Sequence, residues 1–262
     1  MKKGKENNFI FRNWKTILIL VLTLVILIIK APTIVHATKV NSNIVSAILG
    51  GLVGALTAGL FSVLYSNYRV SKEYKSLILA FASELILAFE RCVLYYKQSL
   101  YIPPIISYSA LFDFTDASAL SKLATVTKDL AIIEAIMHLK AQYFQVGRHV
   151  EDAAKFIVQA ERFPDDKKRL ILAAQRAQLT ARAFFLGSDL PKPDPETYNM
   201  IVKKTALIVE AAKRVSPGEI AQELSSRFSK ALKLKRKLED GRQLFLDKKI
   251  SVSEYKDKLD KL

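Results

Sequence analysis

Leu130 to Ala160 reads LAIIEAIMHLKAQYFQVGRHVEDAAKFIVQA. Within it Ile132, Ile136, Leu139, Tyr143, Val146, Val150, Ala153, Ile157 and Ala160 alternate steps of four and three. A half-buried strand would repeat its apolar residues at every second position, whereas steps of three and four keep one stripe on a helix of 3.6 residues per turn. Nearly four heptads in register therefore predict a long helix packed along a seam, in a coiled coil or antiparallel bundle.

Working outward, the same spacing recurs on both sides. Ile78, Ala82, Leu85, Phe89, Cys92, Tyr96 and Ser99 form a seam that ends at Pro103-Pro104. Ser118 to Val126 fits a short helix. Pro164-Asp165-Asp166 marks a turn and the start of a helix from Asp165 to about Leu186, with a thin packing face of Ala173, Ala174, Ala177 and Ala181. After Gly187 come three alternating prolines, which cannot continue a helix, so residues 188–195 are read as a linker. Tyr198, Ile201, Thr205, Ile208, Ala212 and Val215 define another helix. Ser216-Pro217-Gly218-Glu219 has the form of a serine cap with proline at the first helical position and glutamate at the third. Ile220, Leu224, Phe228, Ala231 and Leu238 give the helix that follows an apolar side, which Gly241 is expected to weaken or end.

Toward the N-terminus the chain changes character. Ile44 to Tyr65 has 22 residues without a charge, about 33 Å as a helix and enough to span a bilayer. Thr16 to Ile29 is also apolar but covers only about 21 Å. Two readings stay open for it: the first helix of a transmembrane hairpin, or the apolar core of a signal peptide with Lys2, Lys3, Lys5, Arg12 and Lys15 before it and cleavage after Ala37. Basic residues flank both segments on the outer sides, and Arg69, Lys72 and Lys75 follow the second, so the long C-terminal part is placed in the cytoplasm. The fold class expected is all-α: a membrane hairpin, or one span after signal removal, followed by a cytoplasmic bundle of long helices over residues 66–187 and C-terminal helices over 196–262. In the second segment Ala47, Gly51, Ala55 and Gly59 repeat every four residues, with Gly50, Gly54 and Ala58 beside them. Small residues at that spacing let helix backbones approach closely, against the first segment, a second copy or a membrane partner.

Forty Lys and Arg against 25 Asp and Glu leave a formal +15 over 262 residues, which favours polyanionic partners. Anionic lipid is the nearer one for a membrane-anchored chain, with Arg69, Lys72, Lys75, Lys233, Lys235, Arg236 and Lys237 as the contact candidates. Nucleic acid is disfavoured, since no aromatic residues interleave with the basic run. The single cysteine, Cys92, sits in an apolar seam and reads as a small hydrophobe. No phosphate loop, dinucleotide glycine motif, nucleophile elbow or zinc-protease helix is present, so no catalytic residue, cofactor or metal is assigned and the balance is against an enzyme. His138 and His149 are about 16 Å apart along a helix, too far to share a metal. Glu134 and His138 fit a solvated pair one turn apart. The alternative function is an enzyme or ligand-binding domain with a helical pocket between residues 105 and 190, for which Asp113, Glu134 and His138 would be the first residues to test, or a membrane sensor or toxin-like component. Asp113 and Asp116 otherwise suit turn or cap positions.

Leu244 to Leu262, with Leu246-Asp247-Lys248-Lys249-Ile250-Ser251 and then Ser253-Glu254-Tyr255, resembles the short C-terminal domain called SHOCT. The resemblance implies a small helical hairpin associated with oligomerisation; Lys249 stands where the turn of that domain commonly has glycine. Independently, Ser251 and Glu254 form a capping box, and Tyr255, Leu259 and Leu262 share a helical face. The whole layout, with Pro103-Pro104 and Phe112-Asp113 in its connector, is similar to uncharacterised bacterial membrane-anchored helical proteins. The function expected is a membrane-anchored scaffold or interaction protein, self-associating or binding a partner at the cytoplasmic face.

Overall fold

The computed structural model describes residues 42–101, 117–127, 129–186 and 195–262, with scattered positions between 19 and 33. Most of Thr16–Ile29, the cleavage point after Ala37, His36, the Pro103-Pro104 and Phe112-Asp113 connector, Asp116 and the linker up to Asp194 lie outside the described residues. All regular structure among the described residues is helical: α1 (Ser42–Ser99), α2 (Ala117–Val126), α3 (Leu130–Arg162), a 3-10 turn (Pro164–Asp166), α4 (Lys167–Leu186), α5 (Pro195–Val215), α6 (Glu219–Leu246) and α7 (Val252–Asp260). The chain divides into two compact units, Met1–Glu73 and Tyr74–Leu262, and α1 contributes to both.

In the first unit, the half-buried positions of α1 are Val53, Leu56, Leu60, Val63, Asn67 and Val70, in steps of three and four. At 100° per residue, the glycine and alanine stripes fall on the opposite side of the helix. The Thr57 hydroxyl donates to the carbonyls of Val53 at 2.6 Å and Gly54 at 3.0 Å, so this polar group is satisfied within the helix. Ala47 apart, the side chains described in α1 begin at Gly50. Among the described residues, no helix is long and apolar enough to cross a membrane.

The second unit is built around the C-terminal part of α1. All seven residues of the expected seam from Ile78 to Ser99 are buried, but so are Phe81, Ile86, Ala88, Val93 and Tyr95. Burial is wider than one stripe because α1 meets neighbours on more than one side. Toward α3, Glu84 pairs with Lys140, whose ammonium lies 5.0 Å from the centre of the Phe81 ring. Toward α6, Phe89 meets Phe228 edge-on at 5.2 Å and Glu90 takes both a guanidinium Nε and an NH2 group of Arg227. Paired carboxylate and guanidinium fix position as well as charge.

The heptads of α3 are buried from Ile132 to Val150 and again at Ala153 and Ala160, with Ile157 half-buried. Asp129 caps this helix, its carboxylate accepting from the Ile132 N–H. The α3 and α4 helices pack closely along each other. Buried Ala153, Ala154 and Ala160 on one helix, with Ala174 and Ala181 on the other, explain that approach.

Three expectations about α6 need correction. Ser216 does not cap it: the Ser216 N–H donates to Ala212 carbonyl at 2.9 Å, finishing α5, and Gly218 occupies the cap position without a side-chain bond. In the first turn of α6, Ala221 is the buried residue and Ile220 is 57% exposed. Gly241 does not end the helix, which continues to Leu246. It then closes in a Schellman arrangement, with Lys249 N–H on Leu244 carbonyl, Lys248 N–H on Phe245 carbonyl, and Lys248 at φ 56°. The residue with positive φ is thus Lys248, one before the position compared with glycine in the sequence. The Ser251–Glu254 capping box is present, and α7 folds back so that Tyr255 stacks on Phe245 at 4.7 Å. Tyr255 and Leu259 are buried, and the Tyr101 hydroxyl donates to Asp260 at 2.7 Å. The apolar face of the tail is therefore occupied within the chain.

Candidate functional site

A candidate site must come from a surface the fold leaves open or from polar groups it buries. The small-residue face of α1 is open. Ala47, Gly50, Gly51, Gly54, Ala55 and Gly59 are exposed, and a Cβ built on any of the four glycines meets no described atom within 4 Å. Phe61, Tyr65 and Tyr68 are between 65% and 70% exposed on that same half of the helix. Arg69, Lys72 and Lys75 follow as exposed cations, with Arg69 held to Glu73 at 3.1 Å across one turn.

The basic run of α6 is less uniform than its sequence suggests. Lys233, Arg236 and Lys237 are exposed, but Lys235 is buried, 4% exposed. Leu224, Phe228, Ala231, Lys235 and Leu238 step four and three, so Lys235 occupies a core position of the helix. Its ammonium sits 3.5 Å from the centre of the Tyr198 ring and pairs with Glu239. Burial holds the Lys235 ammonium below its usual range, with Glu239 opposing that shift. The Tyr198 phenol is pushed up to about 12, first by burial and then by the Glu239 charge. Lys235 therefore leaves the set of lipid-contact candidates; a charged lysine on an aromatic face, with a carboxylate beside it, fixes the pairing of α5 with α6.

Other polar groups meet in the core. Cys92, Tyr143 and Thr205 come together from α1, α3 and α5, and burial raises both the thiol and the Tyr143 phenol well above their ordinary values. A thiol held protonated is a poor nucleophile, which agrees with the reading of Cys92 as a small hydrophobe. Glu134 and His138 are both exposed, and Glu134 pairs with Lys204 of α5 at 3.0 Å, the bond that holds its carboxyl below the usual range. That cross-helix pair adds to the expected Glu134–His138 interaction, His138 being the weaker of the two cationic partners of the carboxyl; Glu134 and Lys204 are 70 residues apart and leave no local signal in the sequence. Asp113 lies outside the described residues, so the pocket built on Asp113, Glu134 and His138 is not assembled among them. Among the described residues no cluster of three or more His, Cys, Asp or Glu could hold a metal ion. The chain matches no protein-family model, no curated protein and no solved structure.

Proposed function

We propose that this protein is a membrane-anchored helical scaffold that self-associates or binds a partner protein at the cytoplasmic face. One observation carries the reading: α1 presents an exposed, glycine-lined apolar face on which a Cβ built at Gly50, Gly51, Gly54 or Gly59 meets no described atom within 4 Å. An exposed apolar helix face is covered by lipid or by another helix. The length of the anchor rests on the sequence, since the run reaches 22 uncharged residues only when Ile44 to Leu49 are counted. Tyr65 and Tyr68 at its end, followed by Arg69, Lys72 and Lys75, have the order expected at a membrane interface: apolar run, aromatic residues, cations. The first segment adds a second span or is removed as a signal, and the cytoplasmic placement of Tyr74–Leu262 is the same in both cases.

The test is chemical crosslinking with light scattering of the full chain in a non-ionic detergent, beside Gly54→Ile. An oligomer that Gly54→Ile dissociates, with an unchanged circular dichroism spectrum, supports the reading. A monomer in the parent chain sinks its self-associating form. Alkaline carbonate extraction of membranes tests the anchor separately: the protein stays in the pellet if α1 is embedded and is released if it is not.

A further inference from the structure

The α3–α4 hairpin carries a second open surface, a groove of about 550 Å³. Phe156 of α3 with Leu172 and Ala177 of α4 give it an apolar lining, and Lys168, Arg169 and Arg176 line it beside them. Among the described residues none of these three cations takes part in an ion pair. Leu172 is 51% exposed, so the apolar lining is open to a partner.

The charge of α4 has no explanation in its own stability. Lys167 to Leu186 holds five basic residues and no acidic one, and three of the five are Lys167, Lys168 and Arg169 in the first turn. Cations at the positive end of a helix are the wrong sign for the macrodipole, and only Asp165 and Asp166 in the preceding turn oppose them. An external anion would complement them.

The spacing of the charges selects among anions. Lys168 and Arg169 lie two turns from Arg176, about 11 Å along the helix. A lipid with one headgroup meets one end of that array and leaves the other unpaired. An amphipathic helix with carboxylates two turns apart and apolar residues between them meets both ends and the apolar lining together. We propose that the α3–α4 groove docks an acidic amphipathic helix of a partner protein, which would lie along α4 with its apolar stripe on Phe156, Leu172 and Ala177. This deepens the partner-binding part of the reading above and does not depend on the membrane anchor.

The experiment uses the full chain in non-ionic detergent and a fluorescein-labelled peptide of three Glu-Ile-Ala-Ala-Leu-Glu-Ala repeats, read by fluorescence anisotropy. Arg169→Glu with Arg176→Glu weakens binding by roughly a factor of ten or more and transfers preference to a peptide with Lys in place of Glu. Lys233→Glu with Lys237→Glu, which reverses two exposed charges on α6, leaves binding unchanged. No binding to the parent chain overturns the proposal, as does equal weakening by both double variants, which would reduce the effect to net charge. Displacement of the peptide by anionic phospholipid vesicles assigns the groove to lipid and overturns it too. A drop in particle mass by light scattering in the groove variant assigns it to a second copy, with the same consequence. Because Gly54→Ile is read by mass and the groove variant by anisotropy, failure of one leaves the other standing.

Discussion

Lys235 shows how one residue can carry opposite roles in sequence and structure. Its stem can pack like an aliphatic chain, and its charge is compensated by Glu239 and the Tyr198 ring rather than by water. Lys235→Met should leave stability unchanged or raise it by about 1 kcal/mol, whereas Glu239→Gln, which strands the ammonium, should cost about 1–3 kcal/mol; urea unfolding of both variants measures the difference. Tyr198 makes the region sensitive to alkali. Its phenol ionises near 10 in the unfolded chain and at about 12 in the folded one, so the folded state retains the proton longer. The resulting stability is present in full below pH 10 and is lost as pH rises through 12. Lys235, shifted down, has the opposite slope, so the informative comparison is between the parent and Tyr198→Phe: the variant should lose less stability over that interval in urea midpoints. Lys248 holds a left-handed conformation that costs an L-residue about 1 kcal/mol. Lys248→Gly should recover roughly that amount and raise the thermal midpoint by a few degrees. None of these three roles was legible beforehand. Lys235 stands among basic neighbours, and only the heptad register through Phe228 and Leu238 could have separated it from them.

Helices as elements were far more legible than their partners. Apolar steps of three and four from Ile132 to Ala160 and from Ile78 to Ser99 determine both helix formation and the buried face, and all of these residues but the half-buried Ile157 are buried. The starts were read less well where two signals competed. Ser216 had the residue type of a cap, but its backbone continues α5, and in the first turn of α6 Ala221 is buried where Ile220 was expected. Pairings such as Glu90 with Arg227 or Glu134 with Lys204 join distant segments and have no local period to reveal them. The alanine face of α4 did carry its message, since small side chains are what permit the close α3–α4 approach. Ala174→Leu, at a position with no exposure, should cost about 1–3 kcal/mol through overpacking, visible as a lower urea midpoint with an unchanged slope.

At the scale of the molecule, the basic excess and the all-helical class were both plain in the composition and spacing. Which cations serve a purpose was not. The lipid-contact set came from local density on α6 and from position after the second hydrophobic segment, whereas Lys168, Arg169 and Arg176 are joined to an apolar neighbour only when α3 brings Phe156 beside them. The tail shows the same dependence on the rest of the fold. Tyr101 and Asp260 are separated by 159 residues, and their hydrogen bond, with Tyr255 and Leu259 buried, binds α7 to the end of α1. A nine-residue helix held only by its own turns would exchange its amide hydrogens almost as fast as an unfolded peptide. Here those amides should exchange slowly, on the timescale of a cooperative opening, and Tyr101→Phe should speed exchange in α7 by roughly tenfold while α3 keeps its protection. The last helix would then behave as a clasp, the first part of the unit to open and a sensitive reporter of strain in the helices it holds.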